Sequence, residues 1–243
     1  MNNLHDAFAH ARTENRGALI IYLTAGFPNP GESPDLLVAV AESGADIIEL
    51  GLPFSDPIAD GPTIQVASQQ ALDAGTTVRG VLDIAAEVHE RVDTPLAIMG
   101  CYNPMLAYGP ERFAADAVAA GVSAVLIADM PPVESDEWCR IAADAGLETI
   151  FLLAPSTRQE RFDEIIDRTT GFVYILARQG VTGERDALPD ELPALVRHVR
   201  EHTSIPVAVG FGISRPEHVR SVCAIADGAI VGSALVRAIA EQS

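Results

Sequence analysis

Basic side chains are scarce in this chain of 243 residues. Lysine and arginine together number 16, aspartate and glutamate number 34, and the formal net charge is −18. Neutralising the phosphates of a nucleic acid requires clustered basic side chains, and so does binding to an anionic membrane surface. The charge balance therefore argues against a nucleic-acid-binding protein and against a membrane-surface protein.

Cysteine is also scarce, and long apolar runs are absent from the sequence. Cys101, Cys139 and Cys223 are widely separated and show neither metal-ligand spacing nor a disulfide framework. Residues 1–6 have no basic start and no apolar stretch of the kind that a signal peptide needs. No run approaches the roughly 18 apolar residues of a membrane span. We expect a cytoplasmic protein, in a reducing compartment, with no membrane partner.

Short apolar segments alternate with longer segments of helical periodicity. Strands that alternate with helices predict a parallel sheet, and eight of them in a chain of this length fit a closed (β/α)₈ barrel of the TIM type. An open doubly wound sheet is the competing architecture, but the GxGxxG turn expected after its first strand does not occur at residues 24–28. The predicted strands cover residues 18–24, 46–50, 96–100, 123–128, 149–153, 172–176, 206–210 and 228–231.

The chain contains no linker, no low-complexity tract and no break in composition. We therefore predict an α/β protein in which residues 1–243 form a single TIM-barrel domain. Residues 2–15 predict an extra helix ahead of the first strand, at the bottom of the barrel. The long stretch between the second and third strands predicts an insertion in that unit.

Catalytic side chains of such barrels lie at the carboxyl ends of the strands. Glu49 ends the second strand, on the face that alternation assigns also to Ile47. A carboxylate there is either a strand-end group that reaches water or a general acid/base whose pKa is raised in a partly dry cavity. The loop at residues 51–63 favours the second interpretation, because its prolines pre-order it and it carries Asp60 over the barrel mouth. We expect Asp56 to form a turn or cap a helix.

Glycine-rich turns follow the last two strands. Gly210 ends the seventh strand and Gly212 follows it, Gly232 and Ser233 follow the eighth strand, and a helix begins after each pair. Residues 214–217 show the pattern of a capping box at the first of these helices. Backbone N–H groups and helix dipoles at two such loops form the usual phosphate site of a barrel. The alternative is a pair of ordinary βα turns.

Four other segments give weaker signals. Residues 178–185, with two glycines after the sixth strand, predict a mobile lid or a plain loop. Asn103 is expected to leave the helical region because a proline follows it. Asp129 precedes a proline-rich turn and is expected to be structural. His198 and His202 lie four residues apart on an outer helix without a third ligand, so we predict no metal site there.

These segments together resemble one protein family, that of the tryptophan synthase alpha chain. The most specific block is ELGLPFSDPIADGPTIQ at residues 49–65. The blocks TAGFP at residues 24–28, RQGVTG at 178–183 and GFGIS at 210–214 are similar to the family as well. They occur in the family's order, and the resemblance covers nearly the whole chain.

The resemblance implies a lyase of tryptophan biosynthesis that cleaves indole-3-glycerol phosphate to indole and glyceraldehyde 3-phosphate in a retro-aldol reaction. Glu49 aligns with the general acid/base that protonates the indole C3 and takes the proton of the glycerol hydroxyl. Asp60 aligns with the carboxylate that pairs with the indole N–H. Thr182 aligns with a lid residue that hydrogen-bonds the catalytic aspartate on closure. Aligned with the phosphate cradle are Gly183, Phe211, Gly212, Gly232 and Ser233, and aligned with the indole pocket or the support of Glu49 are Tyr22, Tyr102, Leu126, Ala128 and Tyr174.

The resemblance also implies a partner. Alpha chains work with a pyridoxal-phosphate-dependent β chain in an α₂β₂ heterotetramer, to which they pass indole through a tunnel. Pro53, Asp56 and the loop at residues 102–104 match the surface that faces this partner. We expect no metal and no organic cofactor in the chain itself, since two carboxylates in different environments can supply the chemistry.

Three other functions remain open at this point. Another phosphate-binding barrel, such as an epimerase or isomerase, would usually show metal-binding side chains at its strand ends, and we find no histidine there. A non-catalytic activator subunit of the β chain would not need Glu49 and Asp60. A self-standing lyase that releases free indole is barely separated by sequence from the complexed form.

Overall fold

Eight parallel strands form the centre of the computed structural model, which describes residues 3–57, 60–177, 189–210 and 212–242. Each strand pairs with the next along the chain, and the last pairs with the first, so the sheet closes into a barrel. The prediction of a (β/α)₈ barrel is confirmed, and the predicted strand ends are displaced by one residue at most. The strands are β1 Ala18–Thr24, β2 Ile47–Gly51, β3 Leu96–Gly100, β4 Val122–Ile127, β5 Glu148–Leu153, β6 Val173–Leu176, β7 Val207–Gly210 and β8 Gly228–Val231.

Helices surround the barrel within the same ranges. The predicted insertion between β2 and β3 is a helix of its own, and a further short helix follows β3. The helices are α1 Leu4–Thr13, α2 Ser33–Glu42, α3 Pro62–Asp73, α4 Val78–Arg91, α5 Tyr102–Tyr108, α6 Pro110–Ala119, α7 Asp136–Ala145, α8 Gln159–Arg168, α9 Leu192–His202, α10 Pro216–Cys223 and α11 Ser233–Ala240. A 3₁₀ turn at Pro132–Glu134 precedes α7. None of the helices in these ranges has both the length and the apolar character needed to cross a membrane.

Alternation along the strands divides the core into two layers, as β6 shows. Val173 and Ile175 pack with Phe162 of α8 and Val196 of α9, in the layer between strands and helices. Tyr174, between them in sequence, belongs instead to the cluster that includes the strand residues facing the barrel interior. Both faces of each strand are therefore covered, as the uninterrupted apolar runs predict for parallel strands.

The extra helix α1 lies at the amino ends of the strands, as predicted. Asn3 caps it by accepting a hydrogen bond from the N–H of Asp6 at 2.8 Å. Phe8 packs edge-on against Phe172, just before β6, with ring centroids 5.7 Å apart. Arg12 reaches Asp227, just before β8, at 3.3 Å. The helix thus closes the end of the barrel opposite the candidate site.

One expectation about the loop after β3 is wrong. Asn103 lies inside α5, which begins at Tyr102. Pro104 is tolerated because it lies in the first turn, where its missing N–H has no partner within the helix to lose. The helix start is fixed by Asp129, whose Oδ1 accepts a hydrogen bond from the N–H of Tyr102 at 2.8 Å. The structural role expected for Asp129 is confirmed.

Candidate active site

Glu49 points into the barrel from β2 and is cut off from solvent. It is 1 % exposed, and it pairs in register with Tyr22 of β1 and Ala97 of β3. Neither of its carboxylate oxygens has a hydrogen-bond partner among the described residues. Burial, and secondarily the charge of Asp60, raises the pKa of Glu49 to about 8. The carboxyl group therefore holds a proton at neutral pH without a fixed partner.

Asp60 reaches the same region from the loop between β2 and α3. Pro62 begins α3 in the favoured first position, and the carbonyl of Asp60 accepts a hydrogen bond from Nε2 of Gln65 at 2.8 Å. Burial raises the pKa of Asp60 to about 6. That value leaves this carboxylate mainly ionised at neutral pH. The chain thus brings together two acids of different protonation state, which is the arrangement that acid–base chemistry at pH 7 requires.

A small cleft, partly open to solvent, lies between Asp60 and the ends of β1, β3 and β4. Three of the residues predicted for the site, Tyr22, Asp60 and Ala128, line it. Glu49, Leu126 and Tyr174 are buried in the barrel. The lining consists of Tyr22, Leu52, Phe54, Pro57, Asp60, Met99, Gly100, Cys101 and Ala128. It is mostly apolar with a few polar groups, as is typical of small-molecule sites.

The cleft also includes residues that the sequence interpretation missed. Met99, Gly100 and Cys101 come from the end of β3, and the rule that sites lie at strand ends would have found them. Leu52 and Phe54 come from the loop after β2, where the prediction rested on the carboxylates and prolines and not on the apolar side chains. Tyr102 lies beside the cleft as the first residue of α5 and is half-buried.

Two glycines make room for the two buried tyrosines. A Cβ at Gly51 would collide with the hydroxyl of Tyr22, and a Cβ at Gly210 would collide with the hydroxyl of Tyr174. Gly210 was expected to let a ligand approach the backbone, but in the structure a side chain of the protein itself fills that space. Burial raises the pKa of both tyrosines above the ordinary range, so both remain neutral hydroxyl groups.

The expected phosphate cradle is described in part. Gly232 caps α11, and its carbonyl accepts the N–H groups of Leu235 and Val236, so the first N–H groups of the helix remain for an anion. Gly212 has a φ of +78°, which favours glycine. Ser233 is the first residue of α11. The predictions for Thr182, Gly183, Phe211 and the lid at 178–185 concern positions outside the described residues.

The capping box expected at residues 214–217 is wrong. α10 begins at Pro216, with Arg215 as its N-cap residue and no capping side chain. Proline is favoured in the first helical position, so it sets the start one residue later than the pattern predicts. The N–H of Ser214 instead points to Nδ1 of His218 at 3.5 Å.

The remaining expectations concern residues away from the cleft. Asp56 is exposed and accepts a hydrogen bond from the hydroxyl of its neighbour Ser55 at 2.6 Å, and α3, the helix that follows, has Gly61 rather than Asp56 as its N-cap residue. Pro53 is buried in the isolated chain, although it was expected to face a partner. His198 and His202 pack around Phe162, with ring centroids 4.6 and 5.2 Å from it.

Comparisons with known proteins agree with this geometry. The sequence model of the tryptophan synthase alpha chain family matches residues 8–243. A tryptophan synthase alpha chain of Methanopyrus kandleri is 51% identical over 97% of this chain and 86% of its own length. One of Geotalea uraniireducens is 45% identical over 99% of this chain and 90% of its own length.

Solved structures give the same result. A structure of Mycobacterium tuberculosis tryptophan synthase superposes with a TM-score of 0.92 at 39% identity, covering 98% of this chain and 91% of the other. A tryptophan synthase complex from Pyrococcus furiosus superposes with a TM-score of 0.85 at 41% identity, covering 94% and 92%. The closed barrel, the acids on β2 and on the loop after it, and the near-complete match in sequence lead to one conclusion: this chain belongs to the tryptophan synthase alpha chain family.

Proposed function

We propose that Glu49 and Asp60 are the catalytic residues with which this chain, a lyase, cleaves indole-3-glycerol phosphate to indole and glyceraldehyde 3-phosphate. One observation carries the assignment of roles. Glu49 is buried in the barrel near enough to Asp60 for the two charges to interact, Asp60 lines the cleft, and their pKa values, about 8 and about 6, leave one carboxyl group protonated and the other ionised at neutral pH. A reaction that needs an acid and a negative charge at the same moment uses such a pair.

The chemistry follows from these states. Glu49 delivers its proton to C3 of the indole, and the positive charge that develops on the ring nitrogen is stabilised by the anionic Asp60. Glu49, now ionised, takes the proton of the hydroxyl on the adjacent glycerol carbon. The bond between that carbon and C3 breaks, its electron pair returns to the indole ring, and the carbon becomes the aldehyde of glyceraldehyde 3-phosphate. Glu49 ends the cycle protonated, so protons and electrons balance.

The substrate is proposed to be oriented by its phosphate, which binds at the side of the barrel mouth opposite the two acids. The N-terminus of α11 at Gly232 and Ser233 offers main-chain N–H groups and the positive end of a helix dipole. Gly212, Gly183 and Phe211 are proposed to complete this phosphate site, and Thr182 to act from the lid. Tyr22, Tyr102, Leu126, Ala128 and Tyr174 are proposed to hold the indole ring or support Glu49. Binding energy from the phosphate then holds the indole between the two acids.

The direct test is turnover. Purified chain is incubated with indole-3-glycerol phosphate, and indole and triose phosphate are quantified separately. Equal amounts of both products support the proposal. The Glu42→Gln variant, which makes a Glu-to-Gln change at an exposed position of α2, is the control for substitution of Glu49 and should turn over at the rate of the unmodified chain. Release of neither product by the unmodified chain would overturn the proposal.

The pH dependence of kcat/KM is expected to be bell-shaped. Activity rises through the pKa of Asp60, about 6, because this carboxylate must be ionised. It falls through the pKa of Glu49, about 8, because this carboxyl must be protonated when the substrate binds. Initial rates between pH 5 and 9.5 measure both limbs, and Asp60→Asn is expected to remove the acidic limb. A profile without an alkaline limb contradicts the role of Glu49.

We propose that the chain acts with a β chain as an α₂β₂ heterotetramer, in which the partner carries pyridoxal phosphate and this chain carries no cofactor or metal. The relative from Pyrococcus furiosus is described as a complex. Two large apolar side chains beside the barrel mouth support such a surface, Leu106 on α5, 52% exposed, and Val133 in the 3₁₀ turn, 54% exposed. Asp129 links the two segments through its bond to Tyr102.

Replacing Leu106 with Glu is expected to weaken binding of a purified β chain by roughly tenfold or more, because it places a charge in an apolar contact. Titration calorimetry measures the affinity. Val118→Glu, at an apolar position of α6 that is 40% exposed, is the matched control and leaves the affinity unchanged. Equal affinity of the Leu106 variant and the unmodified chain would place the interface elsewhere.

We also propose that residues 1–243 act as a single domain in the cytoplasm. The three cysteines, Cys101, Cys139 and Cys223, are free thiols in the structure. Free thiols are what a reducing compartment maintains.

A further inference from the structure

The hydroxyl of Tyr22 occupies a defined position in the cleft. Tyr22 pairs in register with Glu49 across β1 and β2. Its hydroxyl lies over Gly51, two residues beyond Glu49 on the same inward face, where a Cβ would collide with it. The hydroxyl therefore lies beside Gly51, one inward-facing position beyond Glu49 along β2, and Tyr22 and Asp60 line the same cleft.

The protein offers few other donors at this position. Among the described residues that line the cleft, only Tyr22 and Cys101 have a side-chain O–H, N–H or S–H group. A thiol is a weak donor, and Cys101 interacts with Asp129. The recorded contact of the Tyr22 hydroxyl is with Oγ1 of Thr24 at 3.4 Å, which is long for a bond between two hydroxyl groups.

Substrate binding changes the hydrogen bonding available to the Asp60 carboxylate. An indole ring that fills the cleft removes water from the carboxylate. The indole N–H satisfies one carboxylate oxygen, and a desolvated second oxygen without a donor is costly. Hydrogen bonds of catalytic groups that are long in a free enzyme commonly tighten when substrate is bound. The Tyr22 hydroxyl can serve as that donor without giving up a strong bond.

We propose that Tyr22 is a positioning residue for Asp60: in the substrate complex its hydroxyl donates a hydrogen bond to the Asp60 carboxylate and holds it, ionised, against the indole N–H. This inference rests on the proposed function and deepens it.

The electrostatic surroundings of the Tyr22 hydroxyl are consistent with this role. The charge of Asp60 raises the pKa of Tyr22 more than the charge of Glu49 does, so the hydroxyl is more exposed to the field of Asp60. Burial is the larger cause of that rise, and it keeps Tyr22 neutral. The other titratable groups here are Cys101 after β3, whose pKa burial raises to about 12, and Tyr174 of β6, whose pKa is also raised. Both are neutral at the pH of the reaction.

Tyr22→Phe tests the proposal, because it removes the hydroxyl and keeps the ring. Loss of this hydrogen bond raises the pKa of Asp60 in the substrate complex, so the acidic limb of the kcat profile should move to higher pH by about one unit. We expect kcat to fall by about five- to tenfold between pH 5 and 6 and by about twofold at pH 7, with KM changed by less than about twofold, since ground-state contacts of the ring remain.

Two controls separate this role from a structural one. Tyr108→Phe makes the same change on α5, where the hydroxyl donates to Asp116 at 2.6 Å, and it should lower the melting temperature without moving the acidic limb. Thr24→Val removes the recorded partner of Tyr22 and should also leave the limb in place.

An acidic limb that is identical in the Tyr22→Phe variant and the unmodified chain overturns the proposal, and so does an equal shift in Thr24→Val. Either result leaves the proposed function intact as long as the unmodified chain releases indole. Failure of the unmodified chain to release indole would instead overturn the proposed function.

Discussion

Replacing Glu49 with Gln lowers kcat for indole release by about a thousandfold, the range expected when a general acid/base is removed. Glutamine keeps the size and shape of the side chain but has no acidic proton to give to the indole C3. Because Glu49 is 1% exposed and has no hydrogen-bond partner among the described residues, no second group there is oriented to replace it. Single-turnover measurements of indole and triose phosphate quantify the loss.

Substrate affinity and folding are expected to persist in this variant. The phosphate site lies at the other side of the barrel mouth, so the dissociation constant for substrate should change by less than about threefold, consistent with a loss confined to the transition state. Glu42→Gln on α2 controls for the change in net charge. Near-normal turnover of the Glu49 variant would remove Glu49 from the mechanism.

Glu49→Gln is also expected to change the pH dependence of stability. Its unfolding free energy, compared with that of the unmodified chain, should be more favourable at alkaline pH than at acidic pH. The pKa of Glu49 is about 8 in the folded chain, raised from an ordinary value of 4.5. Below pH 4.5 both the folded and the unfolded chain hold this proton, and Glu49 contributes no pH dependence. Between these values the unfolded chain loses the proton and the folded chain keeps it, so stability falls as pH rises.

The loss levels off above pH 8 at about 2–5 kcal/mol, from the difference in pKa and 1.4 kcal/mol for each pH unit. Glutamine does not titrate, so the Glu49→Gln variant should be free of this loss. Asp60, whose pKa is also raised, adds a smaller loss of the same sign between about pH 4 and 6 in both proteins.

Urea unfolding at pH 5, 7 and 9 measures the effect. The quantity to compare is the change in unfolding free energy with pH, because the buried amide has a desolvation cost of its own at every pH. Glu42→Gln, at an exposed site, should follow the pH dependence of the unmodified chain. Parallel curves for Glu49→Gln and the unmodified chain would mean that Glu49 is not desolvated in the fold. Catalysis and stability thus oppose each other at this residue.

Much of the barrel could be predicted from local sequence. Strands buried on both faces are continuous apolar runs, and all eight were located to within one residue. The predictions were wrong where the start of a helix was inferred from neighbouring residues only. Asn103 entered a helix because Asp129, distant in sequence, supplied the cap. The helix after β7 began at Pro216 rather than at the capping-box pattern, since the pattern alone does not decide between two possible starts.

The sequence by itself determined the alternation of strands and helices, the place of Glu49 at a strand end and the resemblance to the family, because each of these depends on residues close together in the chain. Only the tertiary structure decided what those residues can do. Burial of Glu49 by the neighbouring strands, the approach of Asp60 from the loop and the fit of the Tyr22 hydroxyl over Gly51 all join distant segments. The pKa values of Glu49 and Asp60 depend on burial and neighbouring charges that exist only once the barrel has closed, so they cannot be inferred from the residues next to them in sequence.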